Sequence, residues 1–113
     1  MTNPNALTKI AAQLGDCAQR YPGRVFRRDL RSGARVSYLV QAGRITVAVA
    51  RPNVPVGETE ITTFRRDLGI PAHATRVPAA GQQERRDGTT TWHQLGWYWL
   101  DTIKDDRHDD TTD

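Results

Sequence analysis

The amino-acid sequence predicts an α+β fold: an N-terminal helix, a three-stranded antiparallel meander, a short second helix and a C-terminal aromatic strand that joins the same antiparallel sheet. Three observations carry that expectation. Apolar residues recur at helical spacing from Leu7 to Tyr21, the period changes to two between Arg24 and Arg51, and alternation returns between Thr89 and Leu100 in a run rich in threonine and aromatic residues. At 113 residues the chain supports one core and leaves too few residues for a second. Residues 1–104 are therefore expected to form a single domain. Residues 105–113, which hold five aspartates and no apolar side chain, are expected to be a disordered acidic tail.

The elements follow in order. Asn3 and Pro4 read as an N-cap followed by proline at the first helical position, where its missing N–H costs nothing. Leu7, Ile10, Ala11, Leu14, Cys17, Ala18 and Tyr21 then line one helical face, and Pro22-Gly23 ends it. Ser32-Gly33 and Ala42-Gly43 divide the meander as two hairpin turns. With two residues in each turn, Val25 opposes Val40, and Val36, Tyr38 and Val40 meet Val49, Val47 and Ile45 on the core face. The opposite face then carries Arg24, Phe26, Arg28, Arg35, Leu39 and Arg44, an assignment that a one-residue slip would invert.

Residues 53–57 read as a linker, and Glu58 or Thr59 opens a short helix through Ile61, Phe64 and Leu68 that Gly69 closes. Residues 70–88 have the composition of a long loop, with a short strand near Thr75 to Val77. In the last strand, alternation puts Leu95, Trp97 and Trp99 on one side and Trp92, Gln94 and Tyr98 on the other. The pentapeptide Phe26-Arg27-Arg28-Asp29-Leu30 recurs as Phe64-Arg65-Arg66-Asp67-Leu68, but its flanks do not align and it falls once in a strand and once in a helix, so no structural repeat is expected.

Composition excludes several classes. No apolar run approaches the roughly 18 residues of a membrane-spanning helix, and the N-terminus lacks the pattern of a secretion signal, which points to a cytoplasmic protein without a membrane partner. Cys17 is the only cysteine, which excludes an internal disulfide and the thiolate zinc motifs, and its place on the apolar helix face reads as a small buried hydrophobe. The histidines are too far apart for a local metal clamp, and no phosphate-cradling loop occurs, so neither metal nor cofactor is expected. No nucleophile sits in a catalytic motif. The nearest approach to an enzyme site is His73 with Arg76 in the long loop, which ranks last among the readings, as a small hydrolase or transferase.

Charge is more informative. Fourteen of the 16 basic residues are arginine, and residues 24–51 hold seven of these against Asp29 alone. The net charge of +3 conceals a split: residues 1–104 hold 15 basic and 8 acidic groups, residues 105–113 one and five. An arginine-rich sheet face suits a protein partner or a second copy of the chain, with Trp92 and Tyr98 as contact residues, because tryptophan, tyrosine and arginine concentrate binding energy. The same face suits single-stranded nucleic acid, with Arg24, Arg28, Arg35 and Arg44 on phosphates and Phe26 stacking, although one ring falls short of the two or three that stacking platforms present.

The order of amphipathic helix, meander with Val36 to Val40 and Ile45 to Val49, acidic-start helix Glu58 to Leu68, Ile70-Pro71 and terminal His93-Gln94-Leu95 strand resembles a family of small uncharacterised phage and prophage proteins. The resemblance implies a mobile-element origin and transfers no catalytic residue. Together these readings favour a small non-enzymatic binding or adaptor protein that works through its open sheet face, with nucleic-acid binding as the alternative.

Overall fold

The computed structural model describes residues 4–79 and 81–100; the expected Asn3 cap and the acidic tail lie outside the described residues. Helix α1 (Pro4–Arg20) forms where the apolar spacing places it and buries Ala11, Leu14 and Ala18, with Leu7 and Ile10 partly covered. Cys17 is half-buried and free. The meander follows as β1 (Phe26–Asp29), β2 (Arg35–Gln41) and β3 (Arg44–Pro52). Helix α2 (Glu58–Asp67) and the strands β4 (Thr75–Val77), β5 (Gln83–Asp87) and β6 (Thr90–Leu100) complete the order.

All strands belong to one antiparallel sheet in the order β1-β2-β3-β6-β4, with β5 also on β6. The final strand is thus interior. It pairs with β3 along its length, while β4 and β5 share its other side, β4 beside Gly96 to Tyr98 and β5 beside Thr90 to Gln94. Two short strands, of three and five residues, therefore lie within the segment expected to be loop. Thr75 to Val77 is the strand its sequence suggested, whereas β5 is exposed at every position and carries no alternation to reveal it.

Turn chemistry sets the register. Ala42-Gly43 makes a two-residue turn with φ of 54° and 76°, so Val36 meets Val49 and Val40 meets Ile45 as expected. The first hairpin differs. Its loop takes three residues, Arg31-Ser32-Gly33, closed by Gly33 N–H to Leu30 O (2.9 Å) and Leu30 N–H to Ala34 O (2.7 Å), with Gly33 at φ 94° where a side chain would be strained. Phe26 consequently opposes Tyr38, and β1 slips by one residue from the expected pairing. That slip turns Phe26 and Arg28 toward the helices and Arg27 and Asp29 toward the open face, which corrects the expected placement of Phe26 and Arg28.

Both helices pack on one face of the sheet. Val36, Tyr38 and Val40 from β2, Val47 and Val49 from β3, and Leu95 and Trp97 from β6 share one core with α1, with Ile61 and Phe64 of α2 and with Leu68 at its C-cap. The Tyr38 hydroxyl donates to Leu68 O (3.1 Å), and burial pushes its pKa up to about 12. Helix α2 is tied at both ends. Glu60 accepts from the Gly57 backbone N–H (3.2 Å) and from Arg51 Nη1 on β3 (2.7 Å), and Ile70 N–H closes the C-terminus on Arg65 O (3.0 Å). Gln82 clamps the linker by pairing its amide with both Val56 N–H (2.9 Å) and Val56 O (2.7 Å). Among the described residues no helix is long and apolar enough to cross a membrane.

Candidate functional site

The face of the sheet away from the helices is covered by no other element among the described residues. Its composition follows from the register. Leu95, Trp97 and Trp99 turn inward as alternation predicts, which sends Trp92, Gln94, Gly96 and Tyr98 outward along β6. Beside them on β3 stand Thr46, Ala48 and Ala50, and on β2 Arg35, Ser37 and Leu39. Arg27 and Asp29 of β1 and Gln83, Arg85 and Asp87 of β5 extend the same face at its two sides.

Small residues floor it and arginine–aromatic pairs mark its ends. Ser37, Ala48 and Gly96 lie side by side on three neighbouring strands. Gly96 is required there, because a Cβ at this position would fall 2.7 Å from the Val47 carbonyl oxygen. Toward one end the Arg35 guanidinium lies over the Trp92 ring, 4.5 Å from its centroid; toward the other Arg44 lies over Tyr98 at 4.4 Å. Two shallow recesses result. One, of about 270 Å³, is lined by Arg27, Arg35, Arg85 and Trp92 over Ser37 and Ala50; the other, of about 290 Å³, lies between Arg44, Tyr98, Val77 and Gln83. Gln94 and Ala48 border both.

Four arginines and two aspartates stand on this face. Asp29 accepts from Arg35 Nε at 2.7 Å, and that hydrogen bond holds the Asp29 carboxyl below its ordinary pKa and raises that of Arg35. Arg27, Arg44 and Arg85 have no carboxylate within salt-bridge distance among the described residues.

The expected site residues therefore divide. Arg35, Leu39, Arg44, Trp92 and Tyr98 share the open face. Arg28 reaches Gln13 of α1 (3.2 Å), and Arg24 lies against Tyr21 and Phe26 (5.9 and 5.6 Å to the ring centroids). His73 is exposed in the loop before β4, while Arg76 faces the helix side of the sheet opposite Trp97, so no contact assembles them into a site. His93, on the helix side of β6, sits 3.7 Å from Glu84. Arg27 and Arg85 were missed: the first was placed on the wrong face by the turn length, and the second lies in a strand with no alternation. No group of three or more metal-ligating side chains occurs among the described residues. The chain matches no protein-family model, no curated protein and no solved structure.

Proposed function

We propose that the protein is a non-enzymatic binding module whose open sheet face takes single-stranded nucleic acid. The observation that carries this reading is that Trp92 and Tyr98 stand on one face with Arg27, Arg35, Arg44 and Arg85 over a floor of small side chains. Two rings on an arginine-bearing sheet supply the stacking surface that Phe26, turned toward the helices, does not. Magnitudes favour the exchange that binding requires. An exposed cation–π contact contributes about 0.5–1 kcal/mol, whereas a base stacked on an aromatic ring contributes about 1–3 kcal/mol. A base can therefore displace the guanidinium, which gains a phosphate in return.

Fluorescence anisotropy with labelled RNA and DNA oligonucleotides tests this. Binding is expected at low ionic strength, with a log–log salt slope between about −1.4 and −2.8 if two to four phosphates are neutralised. The double variant Arg35→Glu, Arg44→Glu should lose at least tenfold in affinity while keeping its fold. A wild-type protein that retains no oligonucleotide at low salt refutes the reading.

A second reading, an acidic protein partner on the same face, is favoured by the clustering of tryptophan, tyrosine and arginine where interfaces draw their energy. Pairing this face with its own copy is disfavoured, because four arginines against two aspartates would oppose the same excess charge. The resemblance in element order is what suggests a phage or prophage origin, and the coding neighbourhood of the gene tests it.

A further inference from the structure

The spacing of side chains along β6 carries the nucleic-acid reading further. Trp92 and Tyr98 are six residues apart on one face of one strand, a separation of about 20 Å along the strand at its ordinary rise. Between them on that face lie Gln94 and Gly96, and the floor beneath continues across β3 as Ala50 and Ala48. Gln94 and Gln83 are directly opposed across β6 and β5, and both border the second recess. Neither side-chain amide makes a hydrogen bond among the described residues. Two amides facing solvent between two rings, above a floor too small to fill the space, are placed to meet the edge of a flat polar group.

We propose that this face binds a segment of about four nucleotides lying along β6, with its outer bases on Trp92 and Tyr98 and an inner base read by Gln94. The inference rests on the nucleic-acid reading above. A glutamine amide offers one donor and one acceptor side by side, the complement of the N6 and N7 edge of adenine, so adenine is the inner base expected. Gln94 is accordingly the specificity-determining residue, and Gln83 supports it from the neighbouring strand. Arg27, Arg35 and Arg85 receive phosphates at the Trp92 end and Arg44 at the Tyr98 end.

The experiment is an anisotropy series with labelled single strands of two to ten nucleotides, run as adenine and as pyrimidine homopolymers on wild type, Gln94→Leu and Trp92→Ala. Affinity should rise steeply to about four nucleotides and then level, with adenine preferred over pyrimidine at least fivefold. Gln94→Leu should abolish that preference and leave the salt slope unchanged; Trp92→Ala should weaken every oligonucleotide at least fivefold. Circular dichroism confirms that each variant folds. Affinity that grows with length without a break, or a base preference that survives Gln94→Leu, overturns this inference while leaving the binding reading in place. If no oligonucleotide binds at any length and an acidic polypeptide does, the parent reading falls as well and the face belongs to a protein partner.

Discussion

Tyr38 shows how one side chain joins packing to pH dependence. Its ring is buried in the core and its hydroxyl satisfies the Leu68 carbonyl just beyond α2, where water cannot reach. Because burial raises the folded pKa to about 12 from an ordinary 10.0, the contribution is complete below pH 10 and is lost as pH rises toward 12. Two units correspond to on the order of 2–3 kcal/mol. Urea denaturation should show that loss in the alkaline window. Tyr38→Phe should flatten it and cost about 1–2 kcal/mol at neutral pH, through the orphaned carbonyl. Asp29 works in the opposite direction. Its depressed pKa makes the Arg35 contact complete above pH 3.8 and lost as pH falls below that value through the folded pKa. Since that pair holds Arg35 back from an anionic ligand, Asp29→Asn should raise oligonucleotide affinity severalfold in the anisotropy assay. At Gly96 sterics decide alone: Gly96→Ala drives a Cβ into the Val47 carbonyl. A loss of about 1–3 kcal/mol is expected, read as a fall in Tm of several degrees.

The elements show what determines their own legibility. The β2–β3 register was readable because Ala42-Gly43 adopts the turn its composition suggests, and the inward Leu95, Trp97 and Trp99 were readable because alternation is unbroken there. Beside them, Ser32-Gly33 has nearly the same signature, yet Arg31 joins its loop and every side chain of β1 changes face. The placement of β6 between β3 and the β4 and β5 pair depends on long-range packing that no local pattern encodes, which is why the pairing of Trp92 with Arg35 could not be anticipated. The repeated pentapeptide shows the same limit from the other side. A spacing of four puts Phe and Leu on one face of a strand and on one face of a helix alike, so Phe26 and Leu30 pack against the core from a strand and its following turn, while Phe64 and Leu68 do so from α2 and its cap. Replacing Gly33 with valine should cost about 1–3 kcal/mol, because its backbone lies in the left-handed region.

The whole molecule divides into a protected interior and an accessible margin. Val47, Val49, Leu95 and Trp97 lie buried in the core on the two central strands, whereas every residue of β5 is exposed. Native-state hydrogen exchange should therefore be slowest in β3 and β6 and orders of magnitude faster in β5. Equal protection across these strands would contradict the layering. The interior position of β6 also has a consequence for biosynthesis. As the chain emerges from a ribosome, β1, β2 and β3 are available early, but the strand that flanks β3 and carries Trp97 into the core is some forty residues later. Until residues 90–100 are free, β3 presents an unpaired edge and a half-covered apolar surface, the state in which nascent chains associate wrongly or recruit chaperones. The strand that carries the candidate binding residues is thus also the one that ends this vulnerable interval.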